Sequence, residues 1–182
     1  NRIEQLKFDD GSVLNLAKRG LTLTEARSSG TINGTSYDDT LIGGNGNDIL
    51  NGYDGKDTLI GNKGNDVIDT GAGENTVIWN LGDDLDTVTF SSTDHLKFGE
   101  GISFEDLTFY ENGDDLVITV RNDMSQGIVC HNYFYSDSNK PMDILFANGS
   151  VFSLKTSGLT LRHGNWAANM HGTAFADVIY AG

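Results

Sequence analysis

A nine-residue pattern repeats four times without a gap between Gly34 and Asp69. Every unit carries aspartate at its sixth place and a branched aliphatic residue at its eighth, and from the second unit on glycine occupies the first and fourth places. Four units in strict register are too regular for a loop, so the pattern predicts a solenoid built from nonapeptide turns. The aspartates are Asp39, Asp48, Asp57 and Asp66, the aliphatic residues are Leu41, Leu50, Leu59 and Ile68, and the glycines are Gly43, Gly46, Gly52, Gly55, Gly61 and Gly64.

The spacing within each unit indicates the shape of the turn. Glycine and asparagine suit a backbone that bends sharply and adopts positive φ. The residues that follow suit a very short strand whose aliphatic side chain points inward. Two units then make one coil, so stacked coils place Asp39 beside Asp57 on one side and Asp48 beside Asp66 on the other. A flexible glycine-rich linker is the alternative, but it needs no inward aliphatic residue in every unit.

These rows of aspartates predict metal-binding sites. Aligned carboxylates repel one another, so a fold that stacks them needs a cation, and carboxylate and carbonyl oxygens favour Ca²⁺. The units resemble the RTX (repeats-in-toxin) family, whose pattern G-G-x-G-x-D-x-U-x is matched in full from Gly43 to Asn51. The resemblance implies a parallel β-roll in which each Ca²⁺ lies between turns two units apart, held by both aspartates and by carbonyls of the glycine turns.

The resemblance also implies which residues pair, and where the roll ends. The implied pairs are Asp39 with Asp57, Asp48 with Asp66, and Asp57 with Asn75. The register then becomes irregular, although Asp84 still falls at a sixth place and is expected to face Asp66. For the group Asp83, Asp84 and Asp86 two interpretations remain open, a further Ca²⁺ site at the end of the roll or a solvated acidic turn.

Charge and composition exclude several functions. The 182 residues carry a net charge of -14, and 20 of the 26 acidic residues are aspartate, a bias that fits metal-binding turns better than helix surfaces. Such a chain is a poor partner for nucleic acid or an anionic membrane unless Ca²⁺ bridges them. The 23 glycines and single proline favour β-structure and turns, and the single cysteine allows no internal disulfide. No catalytic motif or short histidine metal spacing occurs, so we expect no enzyme, and Cys130 is expected to be a small buried residue.

A second, longer repeat extends across the chain. The segment from Phe8 to Val13 matches that from Phe146 to Val151, and the G-L-T-L run at Gly20 recurs at Gly158, always 138 positions apart. The chain is therefore one unit of a tandem array with overhangs, and neighbouring units are expected partners. The predicted division is 1–27 as the end of the preceding unit, 28–87 as the RTX roll, 88–161 as a hairpin-rich β domain, and 162–182 as the start of the next roll, with Asp177 as its first metal ligand.

The segments on both sides of the roll are predicted to form antiparallel hairpins. Tight-turn dipeptides at Asp10, Asn112 and Asn148 each separate two apolar runs. A serine-led helical turn is expected at 103–107, and a strand at 127–135. The motifs from Gly82 to Val88 and from Phe98 to Leu107 resemble the haemolysin-type calcium-binding related domain that follows RTX rolls. The fold class is thus all-β, a parallel roll followed by a small capping domain whose core is Phe90, Phe98, Phe104, Phe109, Tyr133, Phe134, Phe146 and Phe152.

These observations lead to alternative functions. The first is a calcium-folded structural module of a large secreted, toxin-like protein, exported by a type I system that reads a C-terminal signal outside this chain. The second is a recognition module of an adhesin that binds a glycan or a host cell surface through exposed aromatics, with Tyr133, Tyr135 and Trp166 as candidates. A third is an accessory to an enzyme elsewhere in the parent chain.

Overall fold

The computed structural model describes residues 5–7, 9, 13–15, 20–24, 29–141, 143–154, 159–163 and 178–180. Its strands are β1 Gln5–Lys7, β2 Val13–Asn15, β3 Thr22–Thr24, β4 Thr31–Asn33, β5 Thr40–Ile42, β6 Ile49–Asn51, β7 Thr58–Ile60, β8 Val67–Asp69, β9 Thr76–Trp79, β10 Leu85–Thr89, β11 His95–Phe98, β12 Leu107–Asn112, β13 Asp115–Val120, β14 Asp123–Cys130, β15 Asp143–Phe146, β16 Val151–Ser153, β17 Thr160–His163 and β18 Val178–Tyr180. Two short 3-10 helices span Phe104–Asp106 and Asp137–Asn139.

The nonapeptide region forms the predicted parallel β-roll. Strands alternate between two sheets, so that β3, β5, β7 and β9 pair in one sheet and β4, β6 and β8 pair in the other. Partners lie 18 residues apart, as in Thr40↔Thr58 and Ile49↔Val67. Each three-residue strand presents one side chain inward, because alternate residues point to opposite faces. The described inward residues of the roll are Leu23, Ile32, Leu41, Leu50, Leu59, Ile68 and Val77, of which all but Leu23 are buried.

The roll begins earlier than expected. Residues 22–24 form β3, which pairs in parallel with β5 in the same 18-residue register as later coils. The sequence boundary at residue 28 therefore lies inside the first coil. Ile32 is the inward residue of β4, as predicted, and is buried. Its counterpart Met170 lies outside the described residues.

Both sheets continue beyond the nonapeptides. Strand β10 pairs in parallel with β8 and then with β14, and β11 pairs with β9 and then with β15. Leu96, Ile144, Val88 and Cys130 extend the inward ladder and are fully buried. The predicted division at 87/88 falls inside β10, and the roll and the following segment share both sheets and one core. The assignment of 88–161 as a separate domain stays a prediction.

The three predicted hairpins are present. Antiparallel pairs join β1 with β2, β12 with β13 and β15 with β16. The helical turn is also present, with the Ser103 backbone N–H donating to an Asp106 carboxylate oxygen at 2.9 Å. The strand predicted at 127–135 is wrong at its C-terminal end: β14 ends at Cys130, and Asn132 has φ of 55°, which turns the chain away from the sheet.

Most of the predicted aromatic core is confirmed. Five of the eight side chains are buried and two more pack against the cluster. Phe104 is the exception, because it is 38% exposed and stacks on Phe152 at a ring-centroid distance of 4.3 Å. The buried members are Phe90, Phe98, Phe109, Tyr133 and Phe146, and the partly buried ones are Phe134 and Phe152.

Candidate metal centre

The sixth-place residues form two continuous rows along the roll. In the first row, the backbone N–H of Asp39 donates to Asp57 Oδ1 at 2.7 Å, and the N–H of Asp57 donates to Asn75 Oδ1 at 2.8 Å. Asp39 Oδ1 in turn accepts from the N–H of Leu21 at 2.5 Å. Each side chain thus bonds to the backbone of the coil before it. The structure brings together both sequence-predicted pairs of this row.

The second row runs along the opposite edge of the roll. The N–H of Asp48 donates to Asp66 Oδ1 at 2.7 Å, as the spacing predicts. The next partner differs from the prediction, because the N–H of Asp66 donates to Asp86 Oδ1 at 2.9 Å rather than to Asp84. The offset there is 20 residues instead of 18, so two extra residues in the turn after Trp79 shift the register.

Asp83 and Asp84 have other roles. Asp83 Oδ2 accepts from the backbone N–H of Asn80 at 2.8 Å and so closes the turn after β9. Asp84 has φ of 64°, and its Oδ1 accepts from Gln126 Nε2 at 2.8 Å. The structure therefore does not gather Asp83, Asp84 and Asp86 into one site.

Sequence reasoning missed the last member of the first row. Asp94 is fully buried, and its Oδ1 accepts from the N–H of Asn75 at 2.9 Å. Its Oδ2 accepts from the Thr70 hydroxyl and the Ser91 backbone N–H, each at 2.6 Å. The signal was present in the sequence, because Asp94-His95-Leu96 repeats the aspartate–any–aliphatic order of the sixth to eighth places. Counting in steps of nine from Asn75 leads to Thr93 instead, because Asn75 and Asp94 are 19 residues apart rather than 18.

The rows leave buried carboxylate oxygens without a partner. Asp57 Oδ2 and Asp66 Oδ2 are inaccessible to solvent and have no hydrogen-bond donor among the described residues. Both side chains are only 1% exposed. A buried ionised oxygen without a partner is strongly unfavourable, so these atoms require a cation or a proton. This is the observation of the structure that fits Ca²⁺ best.

The first-place glycines border oxygen-lined spaces. A Cβ atom built on Gly43 would lie 2.2 Å from the Gly61 carbonyl oxygen and 2.9 Å from Asp48 Oδ2. At Gly52 the corresponding distances are 2.3 Å to the Thr70 carbonyl oxygen and 2.8 Å to Asp57 Oδ2. Glycine is therefore required where a carbonyl and a carboxylate oxygen converge, and this donor set of hard oxygens suits Ca²⁺.

Three more of the predicted glycines lie at close approaches, Gly61 to the aspartate of its own unit, and Gly55 and Gly64 to the backbone of the coil before. A Cβ on Gly61 would lie 2.1 Å from Asp66 Oδ2, a Cβ on Gly64 would meet the Gly46 carbonyl oxygen at 2.6 Å, and one on Gly55 would meet that of Tyr37 at 2.7 Å. Within the described part of the chain no group of three or more His, Cys, Asp or Glu side chains converges. A site between two acids must therefore take its other ligands from turn carbonyls. Asp177 lies outside the described residues.

Burial raises the pKa values of three carboxyls in the rows. Desolvation, with smaller contributions from neighbouring carboxylates, raises the pKa of Asp57 and of Asp66 to about 6 and that of Asp86 to about 8. Hydrogen bonds from backbone N–H groups act in the opposite direction but are outweighed. Without a metal, burial therefore favours the protonated form of these three carboxyls over the charged form.

We expect opposite pH responses with and without calcium. These acids have folded-state pKa values above the ordinary 3.8. The native state therefore binds more protons between those values, and the free energy of unfolding falls as pH rises. In excess chelator, the far-ultraviolet circular dichroism signal of the roll should therefore be lost at pH 8 and be partly retained at pH 5, where more of these carboxyls are protonated. In calcium, affinity should instead weaken as pH falls to 5, because protons compete. Equal β-signals at the two pH values in chelator would contradict the raised pKa values of these carboxyls.

The other candidates from the sequence are located as follows. Cys130 is buried, and burial raises the pKa of its thiol. Of the aromatics considered for recognition, Tyr133 is buried and so is wrong as an exposed candidate, whereas Tyr135 is 75% exposed. Trp166 lies outside the described residues. Among described helices none is long and apolar enough to cross a membrane.

The chain forms a parallel β-roll in which acidic residues of successive coils are paired. This arrangement defines the class of protein, a calcium-binding repeat module. A comparison with known families agrees, because residues 29–59 and 51–86 match the RTX calcium-binding nonapeptide repeat, in four copies. The matched residues lie within the roll and carry the RTX calcium-binding nonapeptide pattern. Proteins with such repeats are typically secreted.

Comparisons with individual proteins add little. Among solved structures, the chain is similar to the AlgE6R3 subunit of the mannuronan C5-epimerase from Azotobacter vinelandii, with 20% sequence identity and a TM-score of 0.43. The alignment covers 81% of this chain and 86% of that one. No curated protein sequence matches the chain significantly.

Proposed function

We propose that this chain is a structural module whose roll folds when Ca²⁺ binds, within a large secreted, toxin-like protein. The observation that carries the proposal is the pair of rows of buried carboxylates, in which Asp57 Oδ2 and Asp66 Oδ2 have no donor among the described residues. Calcium would supply the missing partner. It would lie between a sixth-place aspartate and the equivalent residue one coil later, with turn carbonyls as further ligands.

The chain's own residues would do two things. The backbone N–H groups of each coil hold the Oδ1 atoms of the next coil at 2.7–2.9 Å, which orients the opposite oxygens. The first-place glycines keep the space beside those oxygens free of side chains. The metal, when bound, neutralises the rows and links consecutive coils. Asp39, Asp48, Asp57, Asp66, Asn75 and Asp86 are the proposed side-chain ligands, and Asp94 joins them at the end of the first row.

The proposed export of the chain before it folds follows from its requirement for calcium. Inside a cell free Ca²⁺ is scarce, so the acidic rows would repel and the roll would stay unfolded and exportable. Outside, millimolar Ca²⁺ would bind and fold it. The net charge of -14 and the single cysteine suit such a chain, which relies on metal rather than disulfides. Type I export and toxin membership are part of this proposal. The recognition function remains a prediction.

The proposal is tested by weakening one site. Asp57→Asn removes a charge from the middle of the first row, where Asp57 contacts both the coil before and the coil after. We expect the two adjacent sites to bind Ca²⁺ about tenfold more weakly, a loss of about 1.4 kcal/mol each. Isothermal titration calorimetry at pH 7.5 measures the change.

Asp54→Asn is the matched control. It removes the same charge three residues away, from an exposed side chain. Its calcium affinity should stay close to that of the unmodified chain, because long-range repulsion between exposed charges is screened by salt. If Asp57→Asn binds as many ions with the same affinity as Asp54→Asn, the row is not the calcium site.

A further inference from the structure

The described strands at the two ends of the chain pair in the same way. The 138-residue offset maps β1, β2, β3 and β5 onto β15, β16, β17 and β18. Both equivalent parallel pairs have the same register, with Thr22↔Thr40 at the start of the chain and Thr160↔Val178 at its end. Strands β17 and β18 are therefore the first strands of the next unit's roll, and the chain contains one complete junction between units.

At that junction the next unit adds a strand to this one. Strand β17 pairs in parallel with β12, with Phe109 opposite Leu161 and Tyr110 opposite Arg162. Strand β12 is bonded on its other side to β13. Without β17 it would be an edge strand with unpaired backbone groups, which sheets usually protect.

Burial at the two ends of the unit shows what the junction adds. Leu161 and Leu159 are buried, with 0% and 2% of their surface exposed. Their counterparts 138 positions earlier, Leu23 and Leu21, are only partly buried, because β3 is the edge strand of its sheet among the described residues. The same G-L-T-L sequence thus leaves its leucines half covered at one end and fully covered at the other. At the C-terminal end the strand that covers them is β12, so the equivalent cover for β3 would be β12 of a preceding unit.

We propose that consecutive units of the array are joined by shared β-sheets, each made by β12 of one unit pairing with β3 of the next. The sheet ordered β4-β6-β8-β10-β14-β13-β12 would continue into β3-β5-β7-β9-β11-β15-β16 of the following unit. One sheet of each unit is then continuous with a sheet of the preceding unit, and its other sheet is continuous with a sheet of the following unit. This goes beyond calcium binding, since it concerns how units connect.

The overlapping arrangement makes the array a stiff rod. At every boundary between units, one sheet passes through unbroken, so bending there would break main-chain hydrogen bonds and expose the leucines of the G-L-T-L run. Linkers between independent domains behave differently, because they leave the domains free to move.

A disulfide cross-link tests the junction in the existing chain. Residues directly opposite in a sheet have Cα atoms about 4.8 Å apart, which a disulfide can span. Tyr110→Cys with Arg162→Cys should therefore oxidise readily in calcium. The control is Tyr110→Cys with Thr160→Cys, two positions out of register, where the Cα atoms are about 8 Å apart and cannot be bridged. The buried Cys130 is kept in both variants.

Counting free thiols after denaturation gives the result. The in-register variant should retain one free thiol, that of Cys130, and the control should retain all three. Equal oxidation of the two variants, or none in either while circular dichroism shows both folded, would overturn the proposal. If a variant does not fold, hydrogen exchange on the unmodified chain decides: protected amides at 160–163 support the junction, and unprotected ones overturn it.

The test is separate from that of calcium-dependent folding. Both variants are oxidised in calcium and, in parallel, in chelator. If the chain stays folded in chelator, the calcium proposal fails, yet the in-register cross-link should still form.

Discussion

Removing calcium is expected to abolish the far-ultraviolet circular dichroism signal of the roll. Asp39, Asp48, Asp57 and Asp66 are at most 2% exposed and lie in rows. Without a cation, their carboxylates must either remain charged beside one another or take up protons. Hydrophobic burial in the roll offsets little of this repulsion, because each strand buries only one aliphatic side chain. The folded state of the roll should therefore require bound metal.

The size of the effect follows from linkage. For extracellular-type sites with Kd of about 0.1 mM in about 1 mM Ca²⁺, each ion adds roughly 1.4 kcal/mol to the free energy of unfolding. Three to five such sites add about 4–7 kcal/mol, which is comparable to the stability of a whole domain. Withdrawing that amount unfolds a protein of ordinary stability.

The measurement compares chelator, calcium and magnesium. At pH 8, excess chelator should remove the β-signal, and added Ca²⁺ should restore it. Mg²⁺ should restore much less, since it demands a smaller octahedral site and gives up its waters reluctantly. A native-like β-signal with a cooperative melt in excess chelator would contradict the dependence on metal.

Replacing Trp79 with alanine should strongly destabilise the calcium-bound chain. The indole is fully buried at the end of the nonapeptide region, and its Nε1 donates to the Asp84 carbonyl oxygen at 3.0 Å. The ring meets Phe98 edge-to-face at 5.7 Å, and Phe98 stacks on Phe146 at 6.1 Å. A row of three aromatic rings that begins at Trp79 thus connects the neighbouring strands β9, β11 and β15.

We expect a loss of about 3–5 kcal/mol in the free energy of unfolding, as for other buried aromatic-to-alanine changes. Urea titration in saturating calcium measures it. Leu81→Ala is the matched control, because Leu81 lies two positions away and is 43% exposed, so its loss should stay near 0.5 kcal/mol or below. Similar losses in the two variants would show that Trp79 does not connect the roll to the segment after it.

The regular part of the fold could be predicted from the sequence because its period is short and strict. A sixth-place aspartate and an eighth-place aliphatic residue determine both the inward ladder and the pairing of Asp39 with Asp57. Turn dipeptides such as Asn148-Gly149 likewise identify hairpins by local backbone chemistry. These features depend on residues close together in the chain.

The errors arose where the chain departs from that period. Counting in nines placed Asp84 opposite Asp66, but a turn longer by two residues brings Asp86 there. The end of β14 depends on tertiary packing, since Tyr133 is aromatic like a strand residue and yet enters the core from a turn. Such positions depend on space left by distant residues, which local patterns do not encode.

The hydrogen bonds along the rows give the roll a polarity. The backbone N–H of each coil donates to a side chain of the coil after it, and in the observed rows the direction does not reverse. The final acceptors, Asp86 and Asp94, come from the segment that leads into the hairpins. The side-chain bonds of the rows are therefore anchored downstream, and a coil can be lost at the upstream end without depriving the N–H of any remaining row residue of its side-chain acceptor.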